Sequence, residues 1–500
     1  NDLAETDHPP GYGSAARFFA LAARDTGLDL ESMSTFDDVT ILEAMGWFNP
    51  GLAALKDGEK TVANHDEDSL TLAVAAGKGC MRSIQGSDVG SLFLASTTLP
   101  FIERNNAGIA AAALNLSPRI KVAELGGAVK SGLTALDSAI KEDGDGMSLV
   151  CASDCRLGKA GGANESLFGD GAAAFAVGHE GVIAAFLGSF SLSYDFGDFR
   201  RVNGDKYVKA WEERWIREQG YTRFIPETIQ GMLKKADLRA EDVSTFIFPP
   251  LSARDHASLV KAMKLKPDQI QDHCMQRIGN TGTAHPLIML VAALESAGKG
   301  DGILVCSYGG GCDCMLFRVT EAIEDLPARN TFQTSLESCQ EMNSYSKYLS
   351  FKDNLDKEKG IRGEEIASTS LSLAWREQDA ILRLAGGRCR ICGTPQFPRE
   401  RICINPECKV ADQMDDYVFS DKMGKLFTYT ADHLTYSEDP PSLYGIVDFD
   451  GGGRYWFDLT DCSLESLRVG QPVEMSFRRK YVDEARSLSG YFWKAVPFKG

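Results

Sequence analysis

Four cysteines towards the C-terminus have the spacing of a metal site. Cys389 and Cys392 form a CxxC pair, and Cys403 and Cys408 form a CxxxxC pair. Thiolates at these spacings converge on one tetrahedral ion, and four sulfurs close its coordination shell. The pattern predicts a structural Zn²⁺ site without an open catalytic position. A rubredoxin-like iron site and four unrelated buried thiols are the alternatives.

The overall composition indicates a reducing compartment. The 500 residues carry 13 cysteines and a formal net charge of −17, and the acidic N-terminus has no signal-like apolar stretch. An odd thiol count in such a long chain is typical of free cysteines and metal ligands. The excess of acidic residues disfavours nucleic acid and anionic lipid as partners, and no apolar run approaches the ~20 residues of a membrane span. We therefore expect a cytoplasmic protein.

Strands alternate with helices over residues 11–321. Buried strands are predicted by composition at 89–96, 148–153, 171–177, 243–248 and 302–306. Apolar helices are predicted at 69–80, 132–140, 257–263 and 286–297. This alternation predicts an α/β architecture with a largely covered sheet, built from two similar halves.

The composition changes after residue 321. A polar connector at 330–365 precedes an amphipathic helix predicted over 368–384, and short β-rich runs with Gly and Asp-Gly turns follow. Runs of this kind are typical of a small barrel. We predict four units: an α/β domain at 1–325, a connector at 326–385, a zinc ribbon at 386–412 and a barrel at 413–500.

The C-terminal region resembles the DUF35 family, in which a zinc ribbon is joined to an OB-fold. The resemblance covers about residues 375–497, and GRCRICGTPQFP at 387–398, DFDGGGR at 448–454 and YFWK at 491–494 carry it. Family members accompany thiolase-type enzymes and are thought to handle the acyl-CoA or to hold the complex together. The resemblance therefore implies an OB-fold that does not bind oligonucleotides.

The preceding region resembles the 3-hydroxy-3-methylglutaryl-CoA synthase family of the thiolase superfamily. Five segments between about residues 11 and 320 carry this resemblance: 58–72 (GEKTVANHDEDSLTL), 168–174 (FGDGAAA), 195–201, 278–283 (IGNTGT) and 307–311 (SYGGG). The resemblance implies the five-layered αβαβα thiolase fold and chemistry on a coenzyme A thioester, which serves as substrate or ligand.

Three catalytic positions of that family are substituted in this chain. Covalent chemistry requires a cysteine at a helix N-terminus, a base and an oxyanion hole. Placed on the family's motifs, Val129 stands where the cysteine is expected, Pro249 replaces the histidine, and Thr97 replaces the glutamate. Only the asparagine of the GNT motif persists, as Asn280. The pocket is therefore expected not to form an acyl-enzyme, unless the register differs or another thiol substitutes.

Three other side chains remain candidates for non-covalent chemistry. Asn280 and Tyr308 can donate to a carbonyl oxygen, and His285 can act as a general base, although loop packing or a helix cap explains each equally well. The substitute thiols, each better explained as a small buried hydrophobe, are Cys151, Cys155, Cys274 and Cys306.

Three functions are consistent with these residues. The first is an acyl-CoA-binding, catalytically degenerate subunit of a thiolase-type acyltransferase complex that makes or cleaves a C–C bond. A thiolase-like catalytic subunit is then its partner, in a dimer or hetero-oligomer. The second is a stand-alone aldolase or retro-aldolase that acts on a CoA thioester without a covalent link. The third is a scaffold that binds no small molecule.

Overall fold

The computed structural model describes residues 58–82, 84, 89–142, 144, 146–326, 331–360 and 368–498. The start of the α/β region, from residue 11 to 57, lies outside these ranges. Within them, no helix combines the length and the apolar character that crossing a bilayer requires.

The first half contains a four-stranded sheet with helices on both faces. Its elements are α1 (Ser69–Arg82), β1 (Val89–Ala95), α2 (Asn106–Ala113), β2 (Lys121–Leu125), α3 (Ser131–Ile140), β3 (Met147–Cys155), α4 (Ala163–Leu167) and β4 (Asp170–Val177). The strand order is β2-β1-β3-β4, parallel except for the antiparallel β3–β4 pair. Leu92, Leu94 and Leu149 are fully buried, as expected for strands covered on both faces.

The second half contains a similar sheet. Its elements are β5 (Ala184–Ser193), β6 (Phe199–Arg200), β7 (Lys209–Ala210), α5 (Glu213–Trp215), α6 (Thr222–Ala236), β8 (Thr245–Ile247), α7 (Ala253–Ala262), α8 (Met275–Ile278), α9 (His285–Ser296), β9 (Gly302–Tyr308) and β10 (Gly311–Val319). The strand order is β8-β9-β10-β5. Helices α3 and α9 contact both sheets, α1 and α2 cover the outer face of the first, and α6 covers the second. These contacts confirm the predicted five-layered arrangement.

The connector is helical only in short pieces. It contains α10 (Phe332–Glu337), α11 (Tyr345–Phe351), α12 (Leu371–Arg376) and α13 (Gln378–Leu382). The prediction of one amphipathic helix over 368–384 is therefore wrong, since the chain leaves helical geometry at Glu377. Leu371 and Trp375 are 64% and 72% exposed. The apolar face is packed only at its C-terminal end, where Leu382 contacts the core, and packing along the whole face is what usually sustains a helix of that length.

The C-terminal region forms a small three-stranded sheet and a five-stranded barrel. The elements are β11 (Ala385–Cys389), β12 (Pro395–Gln396), β13 (Met414–Val418), β14 (Gly424–Asp432), β15 (Ser442–Phe449), β16 (Arg454–Asp458), β17 (Pro472–Asp483) and β18 (Leu488–Pro497). The barrel order is β16-β15-β14-β17-β18, and a bridge between Leu459 and Ala495 joins its two edges. Alternate residues of β15 are buried, which places one face of the strand in the barrel core.

A buried ionic cluster joins the barrel to the α/β region. Arg478 of β17 bonds to Asp66 at 3.2 Å, to Glu67 at 2.8 Å and also to Asp461. Lys494 of β18 lies 2.9 Å from the second oxygen of Asp66. The segment at 58–72 that carries the resemblance to the synthase family therefore holds the barrel in place.

The connector is anchored beside the same segment. Lys352, directly after α11, forms a buried ion pair with Asp170 at the start of β4. Tyr345 of α11 donates a 3.0 Å hydrogen bond to Glu165. Lys347 pairs with Asp439 of the barrel at 2.8 Å. Helix α11 thus contacts both the α/β region and the barrel.

Candidate functional site

Val129 lies at the N-terminus of α3, against the glycine-rich turn that follows β9. A Cβ added at Gly309 would lie 2.8 Å from Val129 Cγ2 and 3.3 Å from the Val129 amide nitrogen. The helix N-terminus that would stabilise a thiolate therefore presents an isopropyl group, which has neither a nucleophile nor an ionisable proton.

The loop that contains Asn280 packs on the same end of α3. A Cβ at Gly132 of α3 would clash with the carbonyl oxygen of Thr283. Asn280 forms a backbone bridge with Phe168, and its Oδ1 accepts a 2.9 Å hydrogen bond from the Gly282 amide. Its side-chain amide makes no hydrogen bond within the described ranges, so this donor is available to a ligand.

Thr97 is held by Asp154, a residue that the sequence analysis missed. Six hydrogen bonds of 2.6–3.1 Å reach the Asp154 carboxylate, from Ser96, Thr97, Thr98 and Thr283. All six donors are neutral, and they come from both halves of the fold. Asp154 therefore ties the Thr97 loop to the Asn280 loop. The sequence feature that could have identified Asp154 is an acidic residue near the end of a buried strand.

Pro249 follows β8, at the sheet edge where the parallel strand β9 also ends. It is partly buried. A proline side chain has no ionisable group and no N–H, so this position supplies neither a base nor a hydrogen-bond donor.

His285 is fully buried below the Asn280 loop. Its Nδ1 lies 3.2 Å from the Thr281 amide, and its Nε2 lies 2.9 Å from the carbonyl oxygen of His273. Burial lowers the pKa of His285 to about 4. Both ring nitrogens are thus occupied by the protein backbone, which favours the packed-ring interpretation over a general base.

Tyr308 points away from solvent at the end of β9. It is 8% exposed, and its hydroxyl has no hydrogen-bond partner among the described residues. Its ring packs edge-on against Tyr221, with ring centroids 5.8 Å apart. Burial and, second, the charge of Asp198 raise the pKa of Tyr308. The phenol is therefore protonated at neutral pH, and the Asp198 carboxylate lies near it.

The four cysteines predicted to bind metal lie together in the β11–β13 region. Their sulfurs are all within 4.8 Å of one another. Cys389 and Cys408 are 3.9 Å apart, and Cys392 and Cys403 are 3.5 Å apart. Tetrahedral Zn–S bonds of about 2.3 Å place sulfurs about 3.8 Å apart. The donor set and its spacing therefore fit one Zn²⁺ ion with no open position.

Two family models match parts of the chain. The model described as 3-oxoacyl-[acyl-carrier-protein (ACP)] synthase III C terminal matches residues 233–319. The model described as ChsH2, C-terminal OB-fold domain, matches residues 417–478. The barrel is therefore an OB-fold.

Curated relatives match the α/β region. A hydroxymethylglutaryl-CoA synthase from Methanopyrus kandleri is 29% identical over 305 residues, which cover 59% of this chain and 87% of the relative. A hydroxymethylglutaryl-CoA synthase from Aeropyrum pernix is 30% identical over 294 residues, which cover 57% of this chain and 81% of the relative.

A solved structure supports the fold of that region. The crystal structure of an HMG-CoA synthase complexed with CoA aligns with a TM-score of 0.56 at 18% identity. The alignment covers 70% of this chain and 90% of that one. The fold is thiolase-like, as the sequence indicates.

Proposed function

The chain belongs to the hydroxymethylglutaryl-CoA synthase family of the thiolase superfamily, and from that premise we propose that it is an acyl-CoA-binding subunit that has lost covalent catalysis. A separate thiolase-like chain supplies the nucleophilic cysteine. Together the two chains form or cleave a C–C bond in an acyl group carried by coenzyme A.

The observation that carries this proposal is the side chain at the N-terminus of α3. On the family's motifs Val129 stands where the nucleophile is expected, and its Cγ2 lies against Gly309. A hydrocarbon side chain cannot attack a thioester. The pocket also lacks a base at Pro249 and a carboxylate at Thr97.

The alternative thiols do not restore a nucleophile. Burial raises the pKa of every one of these thiols: Cys151, Cys155, Cys274 and Cys306. A reactive cysteine instead requires an accessible site that lowers its pKa. These cysteines are better explained as small core residues.

Ligand binding requires neither a nucleophile nor a base, and the Asn280 amide remains as a hydrogen-bond donor. The Asn280 amide donates to no protein group in the part of the chain that the structure describes, and it lies on the loop that packs against α3. A neutral amide suits the carbonyl oxygen of a thioester, in its ground state or as an enolate. This retained donor favours acyl-CoA binding over a scaffold that binds nothing.

The barrel is positioned to influence the pocket. Tyr491 of β18 donates a 2.8 Å hydrogen bond to Asp68, and Ser69 donates a 2.6 Å bond to the Thr98 carbonyl. Thr98 in turn donates to Asp154. This chain of contacts links the OB-fold to the Thr97 loop. We propose that the zinc ribbon stabilises the module and that the module shapes the acyl-CoA site or the partner's approach.

A stand-alone aldolase or retro-aldolase is the second candidate. The buried Tyr308 hydroxyl, next to the turn that contacts Val129, is the observation that favours it. A phenol and the Asn280 amide can stabilise an enolate without any nucleophile.

The test separates covalent, non-covalent and absent activity. The purified full chain is incubated with acetyl-CoA and examined by intact-mass spectrometry, by calorimetric binding, and by thiolysis and aldol-cleavage assays. The assays are then repeated with an intact thiolase-like partner, using an iodoacetamide-treated chain as control. We expect thioester binding, no acyl adduct on this chain, and activity only with the partner.

Each other result has a defined meaning. An acyl adduct on the isolated chain contradicts the proposal. Aldol cleavage by the isolated chain that survives iodoacetamide supports the second candidate. Failure to bind any CoA thioester, alone or with the partner, leaves only the scaffold.

A further inference from the structure

Strand β4 has one side without a neighbouring strand in the described ranges. Its pairing with β3 is regular along the whole strand. On the other side, the Asp170 amide donates a 3.0 Å hydrogen bond to the Thr61 carbonyl, so alternate residues of β4 point their backbone groups away from β3. Those of Ala172, Ala174 and Ala176 have no hydrogen-bond partner among the described residues. Half-buried backbone groups of this kind call for a partner, and a further strand would supply it.

A cleft beside this edge is large enough for a strand. Its volume is about 1550 Å³, above the roughly 300–1,000 Å³ of small-molecule pockets. Every residue of β4 lines the cleft, and so do residues of α1, α3, α9 and α10, among them Ala76, Leu136, Val291 and Leu336. The β4 residues at 171–177, GAAAFAV, carry no charge. The cleft therefore continues the first sheet between its two layers of helices.

The second sheet shows what fills the equivalent place. Strands β8, β9 and β10 repeat the order and the directions of β1, β3 and β4, with a parallel pair followed by an antiparallel pair. In the second sheet, β5 pairs antiparallel with the far side of β10. Among the described residues, only Thr61 bonds to the corresponding side of β4, at its first residue. The described part of the first sheet therefore lacks one antiparallel strand.

The sequence of β5 indicates what such a strand requires. β5, AAFLGSFSLS, has no charged residue and no proline over its 10 residues, as expected for a strand between two layers. Residues 1–57 contain no run as long as 171–177 that is free of both charge and proline. A second copy of the chain is also unsuited, because its own β4 lies in the same cleft and a net charge of −17 opposes self-association.

We propose that β4 binds an extended segment of a second, different polypeptide, which adds to the first sheet as an antiparallel strand. The segment is free of charge and of proline over about seven residues, the length that pairs with 171–177. Backbone pairing with Ala172, Ala174 and Ala176 provides the affinity, and the cleft walls select small or apolar side chains. Such binding requires no acyl-CoA and is therefore independent of the proposed function.

Hydrogen–deuterium exchange of the full chain, resolved to single amides by mass spectrometry, tests whether the edge is free. In the isolated monomer, the amides of Ala172, Ala174 and Ala176 should exchange rapidly. The amides of Ala173 and Phe175, which face β3, are the matched control and should be protected. Protection of all five amides in the monomer would overturn the proposal, because the chain's own residues would then fill the cleft. Protection that appears only in a dimer, identified by light scattering, would assign the cleft to a second copy and would also overturn it.

A synthetic peptide with the sequence of β5, flanked by two lysines at each end for solubility, is the probe for binding. We expect it to slow exchange at Ala172, Ala174 and Ala176. Two forms that are N-methylated at alternate residues, one for each edge of the peptide, are the controls. The form methylated on the edge facing β4 should bind about tenfold to a hundredfold more weakly than the other, because it loses its donors and keeps its side chains. Absence of protection by the unmethylated peptide, or equal affinity of both methylated forms, would contradict the proposal.

A proline variant assigns the binding to the β4 edge. Ala174→Pro removes an N–H that points away from β3 and leaves the β3 pairing intact, so the chain should stay folded and the peptide's affinity should fall at least about tenfold. Ala174→Ser keeps the N–H and is the matched control. Unchanged affinity in Ala174→Pro would show that the peptide binds elsewhere. If circular dichroism shows that this variant is unfolded, the two methylated peptides on the unmodified chain decide the outcome.

Discussion

The chain holds cysteines in two contrasting environments: the four-cysteine cluster and the second sheet near Val129. In the cluster four thiols face one another at the edge of a small sheet, and Cys392 is exposed. Next to the pocket, Cys306, Cys312 and Cys314 are fully buried among the apolar side chains of the second sheet. The comparison teaches that environment, rather than the presence of a thiol, decides whether sulfur can bind a metal, attack a substrate or only fill space.

The largest expected effect is at the metal cluster. Cys389→Ser, or removal of the ion by a strong chelator, should unfold the β11–β13 region, because structural zinc contributes about 10–16 kcal/mol of binding energy to folding in small sites. Metal content by mass spectrometry and protease sensitivity near residue 400 measure this.

Cys339→Ser is the control, since Cys339 is exposed and distant in sequence from the cluster. If the purified chain carries no metal and tolerates Cys389→Ser as well as Cys339→Ser, the cysteine cluster is not a structural metal site.

A smaller effect is expected at the contact between the barrel and the α/β region. Ion pairs of Arg478 form this contact. Arg478→Met should destabilise the protein by about 3–5 kcal/mol, because it removes the buried cation that Asp66, Glu67 and Asp461 share, and only Asp66 keeps a second cationic partner, Lys494. Urea denaturation gives the free energy of unfolding, and limited proteolysis detects release of the barrel.

Lys480→Ala is the matched control in the same strand. Lys480 pairs with Asp458, and its side chain is 44% exposed, so about 0–1 kcal/mol is expected. Equal losses for the two variants would show that the buried cluster does not anchor the barrel.

These two regions also differ in how far the sequence predicts them. The cysteine cluster could be predicted because its four thiols lie within 20 residues and spacing alone brings them together. The ionic cluster could not, because Asp66 and Arg478 are 412 residues apart and only the docked barrel joins them. Asp66 lies in a buried turn before α1, and nothing local in the sequence indicates that this turn is buried.

The same distinction applies within the pocket. The positions of Val129 and Asn280 follow from local motifs, and the structure brings them to the same end of α3. The role of Asp154 depends on partners from other segments. The helix predicted over 368–384 is wrong for a related reason: its amphipathic pattern implied a packing surface along its whole length, and the fold provides one only near Leu382.

A pH effect should further distinguish the buried ionic cluster from the cysteine cluster. Burial raises the pKa of Glu67 from 4.5 to about 7, with Asp461 and Asp66 adding to the rise and Arg478 opposing it. The folded state then binds more protons than the unfolded state between those values. This group's contribution to stability should therefore decrease as pH rises from about 4.5 to 7 and stay constant above.

Urea denaturation of the metal-loaded chain across this range measures the slope. Glu67→Gln should flatten it, whereas the exposed Glu465→Gln should leave it unchanged. An identical slope in the Glu67→Gln variant would show that Glu67 does not titrate in this window.

The smallest expected effect is at Val129 itself. Val129→Cys places a thiol at the helix N-terminus, yet Pro249 offers no base and Thr97 offers no carboxylate. A nucleophile without its base remains slow, so we expect no acyl adduct above background when the variant is incubated with acetyl-CoA and examined by intact-mass spectrometry. Val129→Ala is the control for altered packing. Rapid acylation of Val129→Cys alone would mean that the site still contains the other groups needed for catalysis. The missing cysteine would then be the one catalytic difference from the synthases that this chain resembles.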